Sequence, residues 1–198
     1  MKKALSFCLV ALISGFSNAA EYIPNTKLLE KDGNEVRWGQ SKNNDDSCLP
    51  SYNYLCPRYN PDDQCGHMLA GCGAIAMAQI MWKWSYPDES KYNVYDWDKM
   101  PSDLIDGCST DCPKLISDCG KACKMNYQSI GGFELPVITG SWATISNIAK
   151  GFADFDYSAR IVDSDDWKKY GTAWADLIRS EIDCGRPVLM YGKHNIIE

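Results

Sequence analysis

Between residues 72 and 84 the sequence Cys-Gly-Ala-Ile-Ala-Met-Ala-Gln-Ile-Met-Trp-Lys-Trp is apolar except at Gln79 and Lys83. A run of good helix formers that ends before Pro87 predicts a helix opening at Cys72. Its apolar positions surround most of the circumference, so the helix is expected to cross the interior and not to lie along a surface. Further on, Ile145, Ile148 and Phe152 recur at the spacing of one helix face and predict a helix over Trp142–Phe152. Helical patterns are also expected from Pro113 to Cys123 and from Thr172 to Asp183, and short strands over Tyr157–Val162 and Pro187–Tyr191. Helices come early and strands late, which predicts a mixed α+β domain.

The first twenty residues follow another pattern. Met1-Lys2-Lys3 supplies positive charge, Leu5–Ile13 an apolar run and Ser17–Ala20 small residues, which together predict a signal peptide over 1–20 and a mature domain over 21–198, secreted or periplasmic. The run is far short of the roughly 20 residues that cross a bilayer, and no later stretch approaches that length, so no membrane span is expected. Cys8 lies inside the run and not at its end, which argues against lipidation. A hydrophobic share of 45% with 12% aromatic residues suffices for one buried core. A net charge of −6 with scattered Lys and Arg offers no basic stripe for phosphates, so nucleic acid is not an expected partner. The acidic, Asn-rich stretch Lys42–Asp46 reads as a solvated loop.

Ten cysteines change the picture. Beyond Cys8 these are Cys48, Cys56, Cys65, Cys72, Cys108, Cys112, Cys119, Cys123 and Cys184, and an exported chain is expected to pair most of them. Their number is odd, so at least one stays free or pairs outside the chain. Cys108, Cys112, Cys119 and Cys123 form two Cys-x-x-x-Cys spacings that four thiolates of a zinc site would also fit, although export favours two disulfides stapling a small insertion. Cys48, Cys56 and Cys65 are expected as staples on the loop leading to the first helix. Cys72 differs from all of these. At the start of a buried helix its sulfur sits by unpaired N–H groups and the positive end of the macrodipole, which favour a thiolate. The same N–H groups can face a developing oxyanion.

Around this helix the chain carries Trp38-Gly39-Gln40, Tyr52-Asn53, Cys56-Pro57 and Ala70-Gly71-Cys72, running into Ala76-Met77-Ala78-Gln79-Ile80-Met81 and Trp84-Ser85-Tyr86-Pro87. Tyr95–Pro101, Leu115–Gly120, Met125-Asn126-Tyr127 and Gly185–Leu189 follow. In residues and order this set resembles the streptopain family of secreted papain-like cysteine peptidases across essentially the whole mature chain. The resemblance implies a papain-like fold, with a helical lobe carrying the nucleophile and an antiparallel sheet lobe, here incomplete, carrying a histidine. It further implies Cys72 as nucleophile, Gln40 as oxyanion-hole donor, a protein or peptide substrate cleaved through an acyl-enzyme, and no cofactor or metal. The chemistry agrees: the Gln40 side-chain amide and the Cys72 backbone N–H are the kind of donors that stabilise a tetrahedral oxyanion.

Such a reaction needs an imidazole as general base and then general acid. His67, in the loop Cys65-Gly66-His67, reads as an exposed loop residue. His194 follows the Arg186-Pro187-Val188 segment, as the family's histidine does, and is the candidate base in this chain. It stands closer to that segment than the family pattern sets it, and Lys193 replaces the expected glycine. The expectation is therefore that the base lies beyond residue 198 and that this chain alone has little activity. Only Glu21–Arg37 separate the leader from Trp38, which leaves no room for a long inhibitory prosegment, so control would fall to a separate inhibitor protein. A catalytically dead peptidase-like binder and a disulfide-rich secreted binding module are the alternative functions.

Overall fold

The computed structural model describes residues 7–13, 29–40, 51–58, 66–103, 110–127, 141–162 and 173–192, with backbone only for 7–13, 173–174 and 192. Within these, the strands are β1 (Phe7–Ile13), β2 (Glu30–Lys31), β3 (Asn34–Glu35), β4 (Ser158–Val162) and β5 (Val188–Gly192). The helices are α1 (Cys72–Trp84), α2 (Asp111–Ala122), α3 (Ile145–Ala153) and α4 (Ala173–Asp183).

Helix α1 forms where expected and runs through the core, with Ala74, Ile75, Met77, Ala78, Ile80, Met81 and Trp82 buried. Helix α2 starts two residues earlier than the pattern predicts, because Pro113 occupies the first turn and not its first position; a missing N–H costs nothing there. Helix α3 starts three residues later than predicted. Thr144 is extended and its hydroxyl accepts the Asn147 N–H at 3.2 Å, an N-cap. The predicted first residue, Trp142, instead makes an antiparallel bridge with Asn126.

The core is the junction of these helices. Phe152 and Phe155, both essentially unexposed, are its largest fully buried side chains. Phe152 meets Tyr157 edge-on at 5.7 Å, and Phe155 packs against Tyr92 at 5.5 Å. Asp118 on α2 is buried, and it accepts from Asn93 Nδ2 at 2.6 Å, Tyr95 Oη at 3.1 Å and Lys121 Nζ at 2.8 Å. A buried carboxylate needs such partners, and these tie α2 to the segment after α1.

The β2–β3 hairpin turns at Asp32-Gly33, whose φ angles of 53° and 79° suit a two-residue turn with both central residues left-handed. It is fastened to the end of α1: Lys83 Nζ donates to the Glu30 carbonyl at 2.7 Å and Lys31 Nζ to Ser85 Oγ at 2.9 Å.

The larger sheet corrects one expectation, that of antiparallel strands. Its order is β4-β1-β5, and β1 runs parallel to both neighbours, so this sheet is parallel where an antiparallel one was expected. The physical reason is the connection: α4 lies between β4 and β5 and returns the chain to the same end, as a helical crossover does. The middle strand, moreover, comes from the predicted leader, with Leu9 opposite both Arg160 and Val188. In the 198-residue chain this apolar run satisfies its backbone hydrogen bonds by pairing. Among the described residues no helix is long and apolar enough to cross a membrane.

Candidate active site

Helix α1 begins at a glycine that only glycine chemistry tolerates. Gly71, its N-cap, has φ 86° and offers no side-chain cap to the first turn. A Cβ there would stand 2.6 Å from Met125 Sδ and 3.2 Å from the Ser141 carbonyl oxygen. Both the positive φ and the close approach exclude larger residues. The next residue, Cys72, is exposed and unbridged. Behind it Gly73 lets Ile148 of α3 close in, since a Cβ on Gly73 would meet Ile148 Cδ1 at 2.8 Å. The nucleophile candidate thus sits in a solvent-facing first turn braced by the 125–126/141–142 bridge and by α3.

The Trp38-Gly39-Gln40 loop is fixed onto the same helix. Trp38 is buried, stacks at a tilt 5.9 Å from Trp82 of α1, and donates from Nε1 to the Pro101 carbonyl at 2.8 Å. Gln79, one of the two polar interruptions in α1, reaches out with Nε2 to the Trp38 carbonyl at 2.9 Å. Asn53 Nδ2 donates to the Gln40 carbonyl at 3.2 Å, while Asn53 Oδ1 accepts the Ala70 N–H at 2.8 Å. The structure therefore links Gln40 to the segment entering Cys72. Gln40 Oε1 is buried with no hydrogen-bond partner among the described residues, and Nε2, the donor end of the amide, is the end that a bound carbonyl would use.

His67 is half-buried, bridged to Arg58 and bonded through Nδ1 to the Cys56 carbonyl at 2.8 Å, with its ring against Tyr54. The exposed-loop reading is corrected: a backbone carbonyl and an aromatic face hold this imidazole. His194 lies outside the described residues.

Six cysteines fall within the described residues: Cys72 and Cys184 are exposed, and Cys56, Cys112, Cys119 and Cys123 are buried. Cys112 and Cys119 stand two turns apart on α2, about 10.5 Å along the axis, beyond the roughly 7 Å that a disulfide spans. Cys48, Cys65 and Cys108 lie outside the described residues. Burial separates the thiols chemically. It pushes Cys56 up to about 11, against a lowering hydrogen bond from Tyr127, and Cys123 up to about 12. The fully buried Cys119 is raised as well, by desolvation first. Burial of this kind favours the protonated, less reactive thiol. Cys184 is exposed but stands at the carbonyl end of α4, its N–H bonded to the Ser180 carbonyl at 3.2 Å. No group of three or more His, Cys, Asp or Glu residues that could hold a metal occurs among the described residues.

Brief iodoacetamide treatment of the native chain at mildly alkaline pH is expected to alkylate Cys72 and Cys184 and to spare Cys56, Cys112, Cys119 and Cys123. Peptide mapping reads the result, and early modification of Cys119 would contradict the packing of α2 against α1.

Pattern reading did not single out Gln79 and Asn53, which the structure bonds to the Trp38–Gln40 loop. The signal for Gln79 was present, an amide in an otherwise apolar helix. For Asn53 it was only the company of Tyr52.

No curated protein matches the chain. The family described as the Peptidase C10 family matches residues 46–197, well over half of the sequence, and implies a papain-like fold with which the mixed helix and sheet arrangement is compatible. The chain belongs to the Peptidase C10 family, the streptopain family of cysteine peptidases.

Proposed function

We propose that this protein hydrolyses peptide bonds in protein or peptide substrates, as an endopeptidase with Cys72 as nucleophile. The observation that supports this most is the pairing of an exposed thiol in an uncapped helical first turn with a glutamine loop bonded to the same segment. The Cys72 thiolate adds to the scissile carbonyl carbon, and the carbonyl electrons move to oxygen. The Gln40 side-chain N–H and the Cys72 backbone N–H hold that oxyanion; one such donor is worth about 3 kcal/mol in acyl transfer. Collapse expels the amine, which takes a proton from an imidazole, and water then releases the acyl group. The imidazole is supplied from outside the described residues, since His67 is engaged with the Cys56 carbonyl. With residues 1–20 read as an export leader, the reaction takes place in the periplasm or outside the cell, and a separate inhibitor protein is the proposed form of control.

The test is active-site labelling of the full chain with a biotinylated peptidyl acyloxymethyl ketone. The expected adduct maps to Cys72, exceeds that on Cys184, and disappears in Cys72→Ala. Labelling of Cys72 no faster than of Cys184, in a folded sample, would favour a peptidase-like binder over a peptidase.

A further inference from the structure

We propose that Asn53 is a positioning residue that sets the oxyanion glutamine against the nucleophile. The proposal rests on the roles given above to Cys72 and Gln40 and adds a residue to them.

Asn53 is 4% exposed, and burying a neutral amide is unfavourable unless both of its ends are bonded. Both are, and they point at the two halves of the site. Nδ2 donates to the Gln40 carbonyl at 3.2 Å, and Oδ1 accepts from the Ala70 N–H at 2.8 Å. The chemistry leaves no choice of amide orientation: a carbonyl must receive the NH2 end and an N–H must meet the oxygen. Ala70 is fully buried, and only Gly71 separates it from Cys72. One planar group therefore fixes the Gln40 backbone relative to the strand of chain that delivers the sulfur.

Asn53 is itself held firmly. Its carbonyl accepts the Cys56 N–H at 2.8 Å, and Tyr54 N–H closes onto the Ser51 carbonyl at 2.9 Å. Next to it, Tyr52 packs against Trp38 at 6.4 Å and its hydroxyl donates to Asp103 at 3.0 Å. The glutamine loop is thus anchored at two points: at Trp38, by Gln79 of α1 and the Pro101 carbonyl, and at Gln40, by Asn53. Releasing the second anchor frees Gln40 to swing about the first. An oxyanion donor must reach within about 3 Å of the oxygen, and a displacement of about 1 Å is enough to cost on the order of 100-fold.

Two probes applied to the full chain separate this role from general damage. A peptide aldehyde captures the thiolate by addition to its carbonyl, leaving an oxygen that needs the oxyanion donors. Iodoacetamide reacts at a saturated carbon, displaces iodide and makes no oxyanion. Asn53→Asp keeps an acceptor for Ala70 and replaces the donor to Gln40 with an oxygen. It is expected to weaken aldehyde binding about 10–100-fold, as is Gln40→Ala. The iodoacetamide rate at Cys72 is expected to stay within about twofold, and the double variant to bind aldehyde no worse than Gln40→Ala alone. Where Asn53→Asp lowers Tm enough to leave unfolded protein, Asn53→Ser replaces it with the same expectation.

Aldehyde binding untouched in the Asn53 variants but weakened in Gln40→Ala would overturn the positioning role and leave the peptidase reading standing. Additive losses in the double variant, or equal losses with both probes, would overturn it too. No effect of Gln40→Ala would sink the oxyanion assignment itself, and the proposal with it.

Discussion

Gly71→Ala is expected to lower stability by about 2–5 kcal/mol, the sum of left-handed strain on a residue with a Cβ and of overpacking against fixed neighbours. For a chain of this size that corresponds to a fall in Tm of roughly 5–15 °C. The strain arises because Gly71 holds φ at 86°, and the overpacking because the new carbon would press on Met125 Sδ and on the Ser141 carbonyl oxygen. Methionine can move aside, but the backbone of the 141–142 bridge is less free to do so. Gly33→Ala is the matching control. Its φ is 79°, yet nothing lies within 4 Å of the added carbon, so only the strain remains. A melt showing Gly71→Ala no worse than Gly33→Ala would mean that the bridge does not press on the start of α1. Because Gly71 aims the first turn, the surviving folded fraction is also expected to label more slowly at Cys72.

The second large effect belongs to Phe152→Ala, expected to cost about 3–5 kcal/mol, as a fully buried phenylalanine replaced by a small residue in a close-packed core does. Phe152 is completely unexposed and lies edge-on to Tyr157, at the turn of α3 that carries Gly151 against the Cys123 backbone. The same helix places Ile148 over Gly73, so loosening it unsettles the floor beneath Cys72. Chemical denaturation measures the loss. A change below about 1 kcal/mol would show that α3 is not part of the cooperative core.

Legibility from sequence varied with the kind of information each element carries. Helix α1 was readable almost to the residue, since composition, the following proline and an all-round apolar surface agree. Its start at Cys72 was readable for the same reason. The beginning of α3 was not, because Trp142 continues the apolar spacing while its backbone prefers a bridge to Asn126, a long-range partner that periodicity does not register. Strands β4 and β5 were seen, but their relative direction was not; direction follows from the connection through α4 and from what lies between them. Export argued for pairing of most cysteines, while Cys56, Cys119 and Cys123 are sequestered by packing, and packing density has no one-dimensional signature. Of the residues in the proposed site, Cys72 and Gln40 came from the motif, and Asn53 and Gln79 only from their bonds.

The sequestered thiols carry a lesson for handling the molecule. Cys56, Cys119 and Cys123 escape oxidants only while the core is closed over them. Once the chain opens, each becomes an ordinary sulfhydryl, and scrambled cross-links compete with recovery. Reductant during renaturation, withdrawn only after the helices have closed, is therefore the route to homogeneous material, and air exposure of partly unfolded protein is the route to covalent aggregates.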